Sequence, residues 1–186
     1  GKYTAAIAQI KIEYEDGTTD IIMTDTSWKI KKSKIIHDNI YDGEILDDSL
    51  SDTTCQPVKC IPVGYDKLQA RLSLPVKVME KRRPIELIHT KNGEIVLDFG
   101  QNMAGWPVFF NRLPKGAVCK YTAGEILQDG YFYHDNMGTA KTEFTYISGG
   151  QMCWVRPHFT CFGFRYIKLE GFGNTVDLHD FEAWVL

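Results

Sequence analysis

At 186 residues the chain can form one large domain or two small ones, and a hydrophobic content of 44% is enough to fill a core. Charged residues at 24% and a net charge of −3 exclude a disordered polyelectrolyte, and the scattered lysines give no basic stripe to neutralise phosphates, so nucleic acid is not an expected partner. No stretch of about eighteen apolar residues occurs, so the sequence predicts no helical membrane span and no membrane partner.

Gly1-Lys2-Tyr3 leads straight into an apolar strand pattern with no charged-then-apolar leader, which reads as an excised piece of a larger protein. Ile10, Ile12 and Tyr14 alternate with Lys11 and Glu13, Glu15-Asp16-Gly17 supplies a turn, and 19–23 returns, predicting a hairpin with one wet face. A third strand is expected around Trp28 and Ile30. The stretch 37–52 reads as loops joining short strands, and 55–74 as irregular chain with at most one strand. Residues 75–84 read as a hinge, with Lys81-Arg82-Arg83 as a solvated linker ahead of Pro84.

From residue 85 the pattern is regular. Strands are expected at 85–88, 94–98, 106–112, 117–123, 143–147, 152–155, 164–170 and 181–186, the spacing of an antiparallel sandwich, with Asn92-Gly93 as a type I′ turn. The five cysteines are an odd set without CxxC spacing, which disfavours zinc. They read as small buried or half-buried thiols, with a Cys55–Cys60 bridge as the alternative.

Glycoside hydrolysis would need two carboxylates facing across a sugar, one with a raised pKa. Composition offers Asp42 with Glu44, Asp47 with Asp48, and Glu125 with Asp129 or Asp135, yet all lie in turn-like surroundings that do not explain a raised pKa. Catalysis within this chain is therefore not expected. In DFGQNMAGW, 98–106, Gly100 and Gly105 suit tight backbone, Asp98, Gln101 and Asn102 suit bonds to turn backbone, and Phe99 and Trp106 suit a core. Phe159, Phe162, Phe164 and Tyr166 likewise read as core around a kink at Gly163, and His158 is given no role.

Those nine residues, together with RPHFTCFGFRYIKLEG at 156–171, resemble the non-catalytic β-sandwich region of the bacterial α-L-rhamnosidases. Between the two motifs a Pro114-Lys115-Gly116 turn, Gly124-Glu125, a Gly130 turn and Lys141-Thr142-Glu143 fall in the family's order. The resemblance is strongest over 84–186 and weaker over 7–50. It implies an all-β fold: an antiparallel β-sandwich of concanavalin-like or jelly-roll type over 80–186, preceded over 1–79 by the carboxy-terminal part of a second, accessory sandwich. Asp98, Gly100, Gln101, Asn102, Gly105, Trp106, Gly163, Arg165 and Tyr166 form its structural signature. It also implies an inverting glycoside hydrolase acting on terminal α-L-rhamnose as the parent, with its acids on a downstream (α/α)6 barrel that this chain braces as a partner in the same polypeptide; the compartment stays open, periplasmic or secreted being the options.

The segment HDNIYDGEILDD at 37–48 resembles the family's amino-terminal sandwich, which in some members binds rhamnose with calcium. Asp38, Asn39, Asp42 and Glu44 would carry the oxygens and Tyr41 the ring, making calcium the one candidate ligand ion and a rhamnose-containing glycan a candidate partner. Leu46-Asp47-Asp48-Ser49 stands where the family continues Tyr-Asp-Ala-Arg, which favours a structural loop. Two other readings stay open: a calcium-dependent carbohydrate-binding module, and an unrelated protein-interaction sandwich.

Overall fold

The structure is a computed structural model that describes residues 5–51, 54–62, 64, 66, 68–69, 72–173 and 175–186. Gly1-Lys2-Tyr3 and Asp52, which figured in the expectations above, lie outside the described residues. The chain forms two compact units, Gly1–Lys32 with Asp52–Leu72, and Ser33–Ser51 with Ser73–Leu186. Strands β1 (Gln9–Glu13), β2 (Thr19–Met23) and β3 (Lys29–Ile30) are followed by β4 (Ile35–Asn39), β5 (Gly43–Asp47), β6 (Gln56–Pro57), β7 (Glu80–Arg82) and β8 (Glu86–His89). Then come β9 (Ile95–Asn111), β10 (Val118–Gly124), β11 (Ile126–Gln128), β12 (Tyr131–Tyr133), β13 (Glu143–Ile147), β14 (Cys153–Val155), β15 (Phe162–Glu170) and β16 (Phe181–Val185).

In the first unit β1 and β2 pair antiparallel from Gln9 opposite Met23 to Glu13 opposite Thr19, and β3 pairs with β6. The Asp16 carboxylate accepts from the Thr18 N–H and hydroxyl, fixing the expected turn. The expected dry face is not formed: Ile10, Ile21, Ile22 and Met23 are all exposed, and none of the unit's described residues is buried. Two strands alone have no second layer to close against.

The second unit is a β-sandwich built on one continuous sheet, in the order β4-β5-β13-β10-β15-β9-β16-β7. All its pairs are antiparallel except β5 with β13, which run parallel. The long strand β9 is the spine. Its first half pairs with β8 on one side and β15 on the other, and its second half with β16 and β14. Gly105 is the crossover, opposite Phe162 of β15 and also Val185 of β16. A Cβ there would sit 2.1 Å from the Trp184 carbonyl oxygen, so only glycine fits.

The expected turn over 98–106 is therefore a strand. Its polar residues and glycines signal a change of partner strands within a continuous ladder, not a reversal of the chain. Against β15 the register shifts between Phe164 and Tyr166: one residue separates these two, while four separate their partners Met103 and Asp98, so the additional residues lie on β9. The side-chain alternation of β15 changes at the same place, with Phe162 and Phe164 entering the core before it and Ile167 and Leu169 after it. This register shift stands in place of the kink expected at Gly163. Leu97, Phe99 and Phe109 of β9 meet these residues along with Tyr121 of β10 and Phe144 and Tyr146 of β13. The Phe109 ring is edge-on to Tyr146 at 5.7 Å and to Phe172 at 5.0 Å. Phe159, expected in this core, is 67% exposed because it precedes the strand in the 156–161 loop.

The expected hinge also contains structure. Strand β7 pairs with β16, Lys81 lies 4.1 Å from the Trp184 ring centre, and Arg83 Nη1 lies 2.8 Å from His179 Nδ1. The basic run is thus an edge strand, whose charges keep it from pairing further.

Candidate functional site

Two carboxylates, Glu44 and Asp98, are buried, and the geometry around them decides what the second unit can do. Asp98 leaves β9 beside Arg165, where the register of β9 with β15 shifts. The guanidinium donates two parallel bonds to it at 2.9 Å, from Nε and Nη2, and the Gly100 N–H donates a third at 2.6 Å. Arg165 therefore holds the Asp98 carboxyl below its usual range, against the opposing effect of burial. A group held ionised in this way is the opposite of a proton donor.

Glu44 lies on β5 with a fully enclosed side chain. Its Oε2 accepts from the backbone N–H groups of His158 and Phe159 at 2.8 and 2.9 Å, and its Oε1 lies 3.2 Å from His158 Nδ1. The β4–β5 hairpin is thereby latched to the 156–161 loop across more than a hundred residues of sequence. His158, given no role by the sequence reading, is half of this latch. The register of β4 with β5 could have indicated that Glu44 faces inward, but nothing local pointed to residue 158.

The other residues of the 37–48 segment do not gather around a ligand. Asn39 Oδ1 accepts from the N–H groups of Tyr41 and Asp42 at 2.8 and 3.1 Å, which closes the hairpin turn. Asp42 pairs loosely with Lys141 at 3.6 Å, while Asp38 and the Tyr41 ring are exposed. The turn is docked by backbone: the Tyr41 carbonyl accepts from Thr142 and that of Asp42 from Glu143. With Glu44 bonded to N–H donors and Asn39 spent on its own turn, the four oxygens do not fit a calcium ion, which needs six to eight converging oxygens. Among the described residues, no three His, Cys, Asp or Glu side chains are placed to hold a metal.

The remaining signature residues fall into place around β9. Gly100 has φ 81°, Gln101 is exposed, and Asn102 Nδ2 donates to Glu125 Oε1 at 3.1 Å. Glu125 also accepts from Asn136 at 3.2 Å, so this carboxylate serves a loop. Trp106 is half-buried, not a core residue: its Nε1 donates to the Thr160 carbonyl at 2.6 Å, and Arg156 stacks 4.4 Å from its ring centre. Tyr166 is buried beneath the Arg165 guanidinium at 4.9 Å, and Gly163 sits near Glu125. Cys119 is buried, and Cys55, Cys60 and Cys161 are exposed. No helix among the described residues is long and apolar enough to cross a membrane.

With this geometry in hand, residues 88–186 match the bacterial alpha-L-rhamnosidase concanavalin-like domain, and residues 1–80 match the alpha-L-rhamnosidase N-terminal domain. The chain belongs to the bacterial alpha-L-rhamnosidase family. It is 32% identical over 181 residues to an alpha-L-rhamnosidase of Formosa agariphila, covering 89% of this chain and 19% of that one. It is 29% identical over 182 residues to an alpha-L-rhamnosidase of Alteromonas sp., covering 91% and 20%. Among solved structures, native alpha-L-rhamnosidase from Aspergillus terreus superposes with a TM-score of 0.86 at 26% identity, over 96% of this chain and 22% of that one. The Streptomyces avermitilis alpha-L-rhamnosidase complexed with L-rhamnose gives 0.82 at 26% identity, over 96% and 19%. The chain thus spans about a fifth of the length of the rhamnosidases it matches.

Proposed function

We propose that this chain is a non-catalytic β-sandwich stretch of a multidomain α-L-rhamnosidase, a glycoside hydrolase removing terminal α-L-rhamnose, and that it braces a catalytic (α/α)6 barrel carried downstream in the same polypeptide. The observation that carries the reading is the coverage: nearly all of this chain matches about a fifth of each rhamnosidase. The chemistry agrees, because the two buried carboxylates are each spent on structural donors. Residues 1–79 and 80–186 then correspond to the accessory and concanavalin-like domains, with the β4–β5 hairpin lent by the first to the sheet of the second. Asp98, Arg165, Gly105 and their neighbours serve as framework, and Asp38, Asn39, Tyr41, Asp42 and Glu44 as a docking hairpin.

The test is an aryl α-L-rhamnoside assay of the purified 186-residue chain beside the longer polypeptide that carries it. Turnover only by the longer protein is expected. Turnover by the isolated chain that disappears with Glu44→Gln would overturn the non-catalytic assignment, and a longer polypeptide with no activity would overturn the rhamnosidase assignment. On the same reading, calcium leaves the melting temperature of the chain unchanged.

A further inference from the structure

A groove of about 400 Å³ opens on the second unit, lined by residues of β9, β13, β14 and β16 and of the β4–β5 hairpin. Its residues were picked out neither as a calcium site nor as framework. Val108, 1% exposed, is in its lining with Leu46 and Ile35, as are Arg156, Trp184 and Trp154, the last packed edge-on against Phe110. Lys34, Asp48 and Tyr146 supply polar groups: Lys34 pairs with Asp48, and the Tyr146 hydroxyl donates to the same carboxylate at 3.1 Å. Burial, then Asp48, pushes the Tyr146 phenol up to about 12, so it stays a donor throughout the physiological range.

Arg156 is the informative residue. Its guanidinium lies 4.4 Å from the Trp106 ring centre and 6.0 Å from that of Trp184, so stacking fixes its plane in advance. Its one protein acceptor among the described residues is the Pro157 carbonyl, 2.8 Å from Nη1, and no carboxylate pairs with it. Of the other arginines described in this unit, Arg82, Arg112 and Arg165 each have an acid beside them, and Arg83 faces His179. Spare, pre-oriented donors in a groove that is also lined by Trp154, 42% exposed, match one ligand chemistry well: a ring with an apolar face and a rim of oxygens.

We propose that this groove is a saccharide-binding site that takes one pyranose ring of a glycan, its C–H face on the Trp154 indole and an acceptor oxygen on Arg156. The volume falls within the usual range for small-molecule sites, roughly 300 to 1,000 Å³. A nucleic acid is disfavoured because one spare guanidinium is not a phosphate-tracking stripe. An apolar peptide segment is disfavoured because the rim carries Lys34, Asp48 and Arg156. The acceptor oxygen could be a hydroxyl of a neutral sugar or the carboxylate of a uronic acid, and the two are separable by salt dependence.

The test is titration of the 186-residue chain with methyl α-L-rhamnopyranoside and, separately, with a methyl β-D-glucuronide, followed by tryptophan emission and calorimetry. A saturable response to at least one is expected, weakened about tenfold or more in Trp154→Ala and in Arg156→Met, as for central anchors of a binding site. Binding of the uronide alone, weakened by salt, assigns the Arg156 oxygen to a carboxylate, and salt-insensitive binding of the rhamnoside assigns it to hydroxyls. Because Arg156→Met also unstacks Trp106, Trp154→Ala is the variant that decides, its melting temperature serving as the control for folding. No saturable response to either sugar, or equal affinity in wild type and Trp154→Ala, overturns the proposal. The readout is binding, so its outcome is independent of whether the longer protein hydrolyses rhamnosides.

Discussion

The Asp98–Arg165 pair should be unequal in its two halves. Asp98 has 6% of its side chain exposed and Arg165 has 37%. Arg165→Met strands a nearly dry carboxylate with only the Gly100 N–H to answer it, and breaking a buried pair from that side costs about 3 to 5 kcal/mol. Asp98→Ala instead leaves a guanidinium that can turn to water and still cover Tyr166, so the loss is closer to one charged hydrogen-bonding interaction, about 1.5 to 3 kcal/mol. The double variant should cost less than the sum of the two by about 1 to 3 kcal/mol, since the second change removes a partner that is already orphaned.

Urea unfolding followed by circular dichroism and tryptophan emission measures all three, with Trp106, Trp154 and Trp184 reporting the second unit. Acid sharpens the test. A carboxylate whose folded pKa is depressed contributes stability above its unfolded pKa and loses it as pH falls through the lower, folded value. Wild type should therefore lose stability below about pH 4 more steeply than Asp98→Ala does. If Arg165→Met costs no more than Asp98→Ala, burial does not set the asymmetry and the reasoning fails.

Two further outcomes follow from close geometry. Glu44→Gln keeps an oxygen for both backbone N–H groups and should cost about 1 kcal/mol, whereas Glu44→Ala leaves the N–H groups of residues 158 and 159 unsatisfied and should cost about 3 kcal/mol, read as thermal shifts. Gly105→Ala drives a methyl into the Trp184 carbonyl and should separate β16 from β9, at about 3 kcal/mol or more, visible as accelerated amide exchange in 181–185. Unaltered exchange there would show that the crossover can relax.

Much of the second unit was legible because its strands obey local rules. Alternation placed 94–98, 117–123, 143–147 and 164–170, and β10, β13 and β15 lie close to those expectations. What local rules could not supply was β9. A seventeen-residue strand that changes partners half-way looks, residue by residue, like two strands and a turn, because the glycines that allow close approach are the residues that also make turns. The same ambiguity hid the register shift at Arg165, where an inverted parity is visible only once both flanks are known to be in one core. Trp106 and Phe159 were misplaced for a related reason: aromatic character says that a ring will be covered, not by what, and Trp106 is covered by an arginine while Phe159 is hardly covered at all.

The candidate site was legible only as a set of residue types. HDNIYDGEILDD holds enough oxygen for an ion, yet in the fold those oxygens are divided among a turn, a lysine and two distant N–H groups. The division follows from the hairpin being an edge of the large sheet. Once β5 lies parallel to β13, Gly43 must pass against the Glu143 carbonyl, where a Cβ would come within 1.7 Å, and Glu44 next to it is carried inward toward residue 158. A carboxylate buried by its strand's register is committed before any ligand arrives. The Arg156 guanidinium, which pairs with no carboxylate among the described residues, lies outside the motif that is richest in oxygen, and for that reason the groove around Arg156 is the better place to look for a ligand.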